Sequence, residues 1–451
     1  MTTATKMSDP TRPQGSPPAP DRRTGRRGFL AGIASLAAAG AASPLLTGCS
    51  TEASAATVTP EVWALTDPVQ NAIQTKYLEP GTPRRRLAVF PNTNYTQKLR
   101  IAMGTSKGPD VFFNWGGASV GPYDDAGMVV DLAEHLPRGW AEKAFLPASL
   151  GSARTGDGKL LGLPLKGMQP VVLFYNKDMF DDLGLAAPDT WDSFLRAVDR
   201  VKKENVTPIA LAGAESWTQL MWFEFLAERL GRGKQIDALF RGTRGSWRDG
   251  PVEESLKYVR DLVERGAFGR TFGSVSYGSG TATALFATGR AAMHLMGTWE
   301  YTNLNANHKK FAARSLAWSS FPQMPSGAGG AGALVGNPTN YFSVSSRSNL
   351  AADHIKMLKD RLNSRGYVDT LIAAGEVPAA AGIEDRLEAK SPDPRFSRWV
   401  YDTVAGAERF TLSWDQALQP VLKEAMLAQL QEVFLGTTSP SSFVDTMEAL
   451  L

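Results

Sequence analysis

The sequence has a single cysteine, Cys49, and only four histidines among its 451 residues. One cysteine excludes an intramolecular disulfide, and the histidines, none of them paired at ligand spacing, give little support to a transition-metal site. Long apolar runs are also missing, because no stretch after residue 48 has the length and hydropathy of a membrane span. The share of hydrophobic residues, 43%, is that of a soluble globular protein, which excludes a largely disordered chain.

A charge excess of one sign is missing from most of the chain. Positions 1–48 hold six basic and two acidic side chains, and the whole chain has 48 basic and 45 acidic residues. Subtraction leaves 42 basic and 43 acidic residues from position 49 onward, a net charge of −1. This part of the chain therefore has no overall electrostatic attraction for nucleic acid or anionic lipid. We expect no nucleic-acid partner.

Residues 1–48 predict an export signal. Residues 8–27 are rich in Pro, Ser, Gly and Arg and are too polar to bury a core. Arg26 and Arg27 then precede Gly-Phe-Leu and an Ala-rich apolar run that ends at Leu46. A basic region followed by an apolar run and small residues is typical of secretory signals, and the arginine pair resembles the twin-arginine type. A charged amphipathic tail is the alternative interpretation.

Cys49 ends this leader. It follows Leu46-Thr47-Gly48, which resembles the lipobox of bacterial lipoproteins and implies cleavage before Cys49 with diacylglycerol on its thiol. Two or three acyl chains anchor a protein stably. Residues 49–57 are rich in Ser, Thr and Ala and predict a flexible tether, so we expect a protein anchored to the outer face of a membrane. A structural cysteine is the alternative.

From residue 58 onward, short β-rich runs alternate with amphipathic stretches, which is the pattern of an α/β protein. Thr190 is a good N-cap residue and predicts a helix that continues through Lys203. From Leu350 onward the pattern predicts helix almost throughout. Several runs predict strands: Glu61–Leu65, Leu87–Phe90, Asp110–Phe113, Leu160–Leu165, Val171–Tyr175, Pro208–Ala212 and Ala291–Met296.

Aromatic and polar side chains recur after the predicted strands, where ligands bind in open α/β sheets. Sugars suit such a site, because their C–H faces pack on aromatic rings and their hydroxyls need partners that donate and accept. Ordinary core packing is the alternative for any single Trp. The side chains in question are Asn114 and Trp115, Trp217, and Trp299 and Glu300, together with residues 337–341 after the glycine-rich stretch, where Asn337 is the first polar residue.

Other kinds of site have weaker support. Residues 327–332 match G-x-G-x-x-G, but they follow a Pro-rich loop rather than a strand. Asp131, Glu134 and His135 share a helical face, and a solvent-exposed face is favoured over a metal-binding site as its interpretation. No phosphate-loop or nucleophile-elbow motif occurs, and we expect no cofactor, metal or catalytic residue. Four carboxylates near the expected cleft leave a glycosidase pair open, because spacing cannot give their separation: Asp67, Glu215, Glu300 and Asp415.

Four motifs occur in order along residues 60–451. They are Y-x-x-K-L…P-D-V-F in 95–112, Y-N-K-D-M-F…T-W-D in 175–192, F-A-T-G-R-A-A-M…G-T-W in 286–299, and A-A-G-E-V-P-A…G in 373–382. Together they resemble the family 1 extracellular solute-binding proteins of bacterial ABC importers, the maltose-binding-like group. The second motif is the most specific. The resemblance indicates the family strongly and the substrate weakly.

The resemblance implies an α/β, two-lobed periplasmic-binding-protein-like fold with a hinge and a ligand cleft between the lobes. One lobe would take residues 58–166 plus about 300–345. The other would take residues 167–299 plus about 346–451. Closure of such lobes is an equilibrium that the ligand biases.

The resemblance also implies a function and a set of cleft residues. The protein would be a monomeric, membrane-tethered lipoprotein that delivers an oligosaccharide to an ABC permease without catalysis. The segment 114–117 is similar to members that take up xylo- or chito-oligosaccharides. An exported glycoside hydrolase and a binding protein for a non-sugar solute are the alternatives. Tryptophans would stack on sugar rings and polar residues would bond hydroxyls, at these positions: Trp63, Asp67, Asn114, Trp115, Trp217, Trp299, Glu300, Asn337, Trp414 and Asp415.

Overall fold

The computed structural model describes residues 59–325, 330 and 332–451. The predicted export signal with Arg26 and Arg27, the tether with Cys49, and most of the glycine-rich motif at 327–332 lie outside the described residues. Among the residues that are described, no helix is long and apolar enough to cross a membrane.

The described elements alternate in the way the sequence predicts. The strands β1 to β11 are Glu61–Leu65, Arg86–Phe90, Val111–Asn114, Leu163–Pro164, Gln169–Asn176, Thr207–Ile209, Ala291–Gly297, Leu316–Ser319, Ala333–Asn337, Tyr341–Val344 and Arg409–Leu412. The helices α1 to α21 are Pro68–Leu78, Asn92–Met103, Gly121–Asp125, Trp140–Ala144, Pro147–Leu150, Lys177–Asp182, Trp191–Lys203, Ser216–Leu230, Gly233–Phe240, Ser246–Asp249, Val252–Glu264, Thr281–Ala287, Trp299–Asn307, Lys309–Arg314, Ala351–Leu362, Arg365–Ala373, Glu384–Lys390, Pro394–Ala405, Trp414–Ala417, Pro420–Leu435 and Pro440–Glu448. Short 3-10 helices occupy Gly117–Ser119, Leu132–Glu134, Gly151–Ala153 and Phe272–Ser274.

The first sheet has five strands in the order β2-β1-β3-β10-β4. β1 is parallel to β2 and β3, and β10 is antiparallel to β3 and β4. Val62, Ala64 and all of β3 are buried beneath the flanking helices. Because β1, β2 and β3 run in the same direction, the residues that follow them meet at one edge of this sheet.

The second sheet has the order β11-β9-β5-β7-β6, and β8 also pairs with β5. β5 is antiparallel to β7, β8 and β9, while β6 is parallel to β7 and β11 to β9. The seven residues of β7 are all buried, which makes it a central strand covered on both faces.

Two chain segments cross side by side between the first sheet and the second. Residues 165–168 join β4 to β5, and residues 338–340 join β9 to β10. They run together because the Leu165 backbone N–H donates to the Asn340 carbonyl oxygen at 2.9 Å, and Gln169 pairs with Asn337 in the second sheet. The pair of crossings has the geometry of a hinge between two lobes.

The lobe boundaries expected from the sequence differ from this topology. β8 and β9 fall within 300–345, which was expected in the first lobe, yet both lie in the second sheet. α16 falls within 346–451, yet Tyr367 packs edge-on against Tyr77 of α1 at 5.3 Å beside the first sheet. The sequence does not show which sheet a short strand or an amphipathic helix joins, because both sheets offer similar apolar faces.

Local predictions were more successful. The Thr190 side chain accepts a hydrogen bond from the Ser193 N–H, and the Ser193 hydroxyl oxygen accepts one from the Thr190 N–H. These two bonds form a capping box and confirm the predicted helix start. The predicted strand 208–212 is shorter, ending at Ile209. The helical prediction after Leu350 was wrong at β11, which completes the edge of the second sheet by pairing with β9.

Candidate ligand-binding site

A cleft of about 540 Å³ lies where the residues following strands of both sheets come together. The segments after β1, β3, β7, β9 and β11 all contribute to it, as expected for a ligand site at strand ends. Its aromatic and polar side chains come from both sides of the hinge. The lining is Leu65, Thr66, Asp67, Gln70, Gln74, Asn92, Phe113, Trp115, Leu165, Lys166, Gln169, Trp217, Met221, Tyr277, Trp299, Gly336, Asn337, Asn340, Ser413, Asp415 and Gln416.

Three aromatic side chains form one wall of the cleft, which we call the aromatic wall: Trp217, Tyr277 and Trp299. Trp217 lies in the first turn of α8 and Trp299 begins α13. The Tyr277 ring meets the Trp217 ring edge-on, with centroids 5.3 Å apart at 84°. Each is half-buried and packs on the core, so the rings are held in place while one side of each remains open to the cleft.

Trp115 lies on the side of the cleft formed by the first lobe. Its ring packs edge-on against Phe113, with centroids 4.9 Å apart. The neighbouring Asn114 does not line the cleft. It is buried, donates to the Ser343 hydroxyl at 2.8 Å and accepts from the Gly116 N–H at 2.9 Å. Gly116 has φ +82°, and a Cβ there would lie 2.4 Å from the Ser152 carbonyl oxygen, so this turn needs glycine.

Five lining residues present buried polar atoms that have no hydrogen-bond partner within the described part of the chain. Leaving such a group unpaired costs about 1–3 kcal/mol. The set includes one hydrogen-bond donor and four acceptors, so a ligand rich in hydroxyls, which donate and accept, would satisfy it. The atoms are Gln70 Oε1, Asn337 Oδ1, Asn340 Nδ2, Asp415 Oδ1 and Gln416 Oε1.

The charges of the cleft are few. The Lys166 Nζ lies 3.9 Å from Asp67 Oδ2 and 3.8 Å from Glu376 Oε1. Glu376 also accepts from the Gly167 N–H at 3.1 Å, which ties it to the first crossing. Desolvation raises the pKa of the Asp415 carboxyl. Lys166 is the only cation among the described lining residues, and carboxylates surround it.

The structure places the predicted site residues in two groups. Asp67, Trp115, Trp217, Trp299, Asn337 and Asp415 line the cleft. Trp63, Asn114, Glu300 and Trp414 do not.

The tryptophans of the second group have other partners. The Trp63 indole N–H donates to Glu61 Oε2 at 2.7 Å, and its ring packs on Phe90 at 4.5 Å. Trp414 is fully buried against Phe223, with centroids 5.1 Å apart. A position at a strand end does not decide on which face a side chain points, because successive residues of a strand point to opposite sides.

The sequence interpretation missed several lining residues. Gln70 and Gln74 are buried four positions apart on α1, just after Asp67, and polar residues at this spacing share a helix face. This spacing was a usable signal. Lys166 and Asn340 belong to the crossings, Gln169 begins β5 directly after the first crossing, and Tyr277 lies in a loop without a recognisable motif. No sequence pattern pointed to these four residues.

Two of the four carboxylates considered for a glycosidase pair, Glu215 and Glu300, are not among the residues that line the cleft. Glu215 accepts from the Ser276 hydroxyl at 2.6 Å and from the Tyr277 N–H at 2.9 Å. Burial alone would raise its pKa, but these bonds outweigh burial and lower the pKa. Glu300 is fully buried. Only Asp67 and Asp415 reach the cleft. In the described part of the chain, no cluster of His, Cys, Asp and Glu could hold a metal.

Comparison with known proteins establishes the family. Residues 66–354, more than half of the chain, match the family described as bacterial extracellular solute-binding protein, and the protein belongs to this family. The family consists of binding proteins rather than enzymes. The predicted family resemblance and fold class and the expectation that the chain is not an enzyme are thus confirmed, and the hydrolase alternative is wrong.

Two relatives give the range of similarity. The multiple sugar-binding protein of Streptococcus mutans is 27% identical over 228 residues, 49% of this chain and 52% of the relative. A probable sugar-binding periplasmic protein of Mesorhizobium japonicum is 24% identical over 274 residues, 60% of this chain and 62% of the relative. The chain thus spans between half and two thirds of the length of these relatives.

Solved structures agree on the fold. One, from work on xylan utilization by the thermophilic bacterium Caldanaerobius polysaccharolyticus, has a TM-score of 0.76 at 23% identity and covers 87% of this chain and 100% of its own. A chitin oligosaccharide binding protein has a TM-score of 0.72 at 24% identity and covers 87% of this chain and 98% of its own. At such identities the similarity establishes the two-lobed fold alone.

Proposed function

We propose that this protein binds an oligosaccharide in the cleft between its lobes. The observation that carries the proposal is the pairing of an aromatic wall with buried, unpartnered polar atoms in one cleft. An apolar ligand would leave those polar atoms unsatisfied, and a small ion would leave the indole rings without contact. A sugar ring has a C–H face for the indoles and hydroxyls for the amides and the carboxylate.

The proposed roles follow the side chains. Trp115, Trp217 and Trp299 stack on sugar rings. Asp67, Asn337 and Asp415 bond hydroxyls, joined by Gln70, Asn340 and Gln416. A xylo- or chito-oligosaccharide is the proposed ligand. The similar structures whose names concern xylan utilization and chitin oligosaccharide support this choice.

Binding is proposed to close the lobes about the paired crossings 165–168 and 338–340. The ligand contacts both lobes, so it favours the closed arrangement by its additional contacts there. The tryptophans of the cleft change environment on closure and provide an intrinsic signal.

Delivery to an ABC permease is the second part of the proposal. The protein would be exported through the signal with Arg26 and Arg27, acylated at Cys49 and held as a monomer by residues 49–57 at the outer face of the membrane. Cys49→Ser tests this anchor. We expect it to move the protein from the membrane fraction to the medium and to remove the lipid mass from its N-terminal peptide. An unchanged membrane fraction would contradict acylation as the anchor.

A non-sugar solute is the competing candidate. One relative, the sn-glycerol-3-phosphate-binding periplasmic protein UgpB of Rhizobium meliloti, is 28% identical over 221 residues. A phosphate calls for several cations or backbone N–H donors. The described lining offers Lys166 alone, with Asp67 and Glu376 beside it, so the charges favour an uncharged ligand.

A fluorescence titration tests the binding proposal. Tryptophan emission is followed against xylo-, cello-, chito- and malto-oligosaccharides and sn-glycerol 3-phosphate, and calorimetry confirms each response. We expect saturable binding of one oligosaccharide series with a Kd on the order of micromolar, about −8 kcal/mol. Folded protein that responds only to the phosphate, or to none of the sugars, would contradict the proposal.

A further inference from the structure

Tyr277 of the aromatic wall is held at its backbone by one glutamate. Glu215, which immediately precedes α8, accepts from the Ser276 hydroxyl at 2.6 Å, from the Tyr277 N–H at 2.9 Å and from the Gly278 N–H at 3.2 Å. Three bonds to one carboxylate fix the loop that carries Tyr277. Charge-assisted bonds of this kind are stronger than those between neutral groups.

A second glutamate holds the other end of the same side chain. The Tyr277 hydroxyl donates to Glu300 Oε2 at 2.9 Å, and the Asn303 amide donates to the same oxygen at 3.0 Å. The other oxygen, Oε1, faces His294 Nε2 at 3.8 Å. Glu300 is fully buried, so neither of its oxygens is available to a ligand in the cleft.

The Tyr277 residue is therefore fixed at its backbone and at its hydroxyl. Its ring packs against Trp217 and so restricts the position of the tryptophans. It meets Trp217 edge-on at 5.3 Å, and Trp217 lies 6.4 Å from Trp299. Burial, followed by the charge of Glu300, raises the pKa of the Tyr277 hydroxyl, which keeps it protonated as the donor in this bond. A ring that could rotate would leave the indoles free to lean into the cleft.

We infer that Glu300 is a positioning residue for ligand binding, which acts through Tyr277 on the aromatic wall, with Glu215 holding the loop beneath it. The inference rests on the proposed function and deepens it, because it assigns the shape of the stacking surface to two carboxylates that do not touch the ligand. It also replaces the predicted role of Glu300 as a direct partner of sugar hydroxyls.

A double-mutant cycle tests this inference with the oligosaccharide that binds best in the titration above. We expect Glu300→Ala and Tyr277→Phe each to weaken binding about tenfold. If Glu300 acts through Tyr277, the affinity of the double variant is no lower than that of the single variant with the lower affinity, because the effects of coupled residues do not add. Glu300→Gln keeps an acceptor for the phenol and is expected to retain affinity within about threefold.

Tyr301→Phe is the matched control. The Tyr301 hydroxyl donates to Asp393, so the variant removes the same kind of phenol-to-carboxylate bond from the same lobe, outside the cleft lining. We expect unchanged affinity. If Glu300→Ala does not fold, the positioning role is still tested by the affinities of Tyr277→Phe, Tyr301→Phe and Glu300→Gln. A loss in Tyr277→Phe that Tyr301→Phe does not show supports the role.

The outcomes separate the two proposals. Additive losses in the double variant, or wild-type affinity in Tyr277→Phe, would overturn the positioning role while the function stands. Wild-type protein that binds no oligosaccharide would contradict the proposed function itself.

Discussion

The indole rings of Trp217 and Trp299 lie 6.4 Å apart between centroids and are inclined by 53°. They belong to different helices, α8 and α13, that begin beside the same sheet. Two inclined flat surfaces at this spacing form an angled wall rather than a single platform. Such a wall fits a ligand with more than one flat apolar face, as linked sugar rings have.

Removing either indole is expected to weaken sugar binding strongly. We predict that Trp299→Ala lowers affinity by at least about 2 kcal/mol, the cost typical of a desolvated aromatic anchor, which corresponds to about 30-fold in Kd. Isothermal titration calorimetry with the best oligosaccharide measures it. Trp63→Ala is the control, because Trp63 is half-buried but outside the cleft lining. Equal affinity of a folded Trp299→Ala variant would remove this residue from the site.

The sequence predicted the α/β class and the edge at which the cleft lies. Strand-forming runs and their carboxyl ends are local features, and the residues after the predicted strands β1, β3 and β7 do meet in one cleft. The choice between neighbouring residues could not be predicted. Trp115 lines the cleft while Asn114 holds its turn, and Asp415 lines it while Trp414 is buried in the core.

The features that the sequence does not indicate depend on long-range packing. Tyr277 is held in the wall by hydrogen bonds to Glu215 and Glu300, which are far from each other in sequence. The partition of the lobes depends on which sheet β8 and β9 join, and pairing partners distant in sequence leave no periodicity to read. Local sequence patterns therefore indicate helices and strands more clearly than the direction in which a side chain points.

The capping box at the start of α7 allows a stability prediction. The Thr190 hydroxyl accepts from the Ser193 N–H at 3.2 Å. We expect Thr190→Ala to reduce the free energy of unfolding by about 1 kcal/mol, because the variant leaves an N-terminal N–H without its partner. Urea denaturation measures the loss. Thr190→Ser keeps the hydroxyl and should stay near wild type, and a similar loss in both variants would show that the cap is not the cause.

Glu224 allows a prediction about pH. It is fully buried on α8 and accepts from the Trp414 N–H at 3.0 Å. Desolvation, with the nearby charges of Asp415 and Glu228, raises its pKa well above the usual value despite that bond. In the unfolded chain the pKa is ordinary, about 4.3. Between these two pKa values the folded state binds the extra proton, so stability falls as pH rises through this window.

Glu224→Gln removes this proton linkage. We expect the stability of the variant relative to wild type to increase as pH rises above about 4.3 and then to level off above the folded pKa. Urea denaturation at a series of pH values measures the difference. Glu424→Gln changes a side chain that is 72% exposed and should show no such trend. A difference between Glu224→Gln and wild type that does not vary with pH would contradict the raised pKa.

Gly297 sets the position of the Trp299 indole. A Cβ at residue 297 would lie 1.9 Å from Trp299 Cζ3 and 2.2 Å from Cη2, so the ring must move if Gly297 becomes Ala. We predict that Gly297→Ala weakens sugar binding nearly as much as Trp299→Ala, because the stacking surface is displaced rather than deleted. Calorimetry measures the loss of affinity, and the tryptophan emission spectrum reports the displacement of the indole.

The double variant makes this prediction specific. Once Trp299 is Ala the clash is gone, so Gly297→Ala combined with Trp299→Ala should bind no worse than Trp299→Ala alone. Gly121→Ala is the control, because a Cβ at Gly121 meets no atom within 4 Å. Wild-type affinity in Gly297→Ala would show that the indole finds another position equally good for the ligand, and the close approach at Gly297 would then not be what orients the ring.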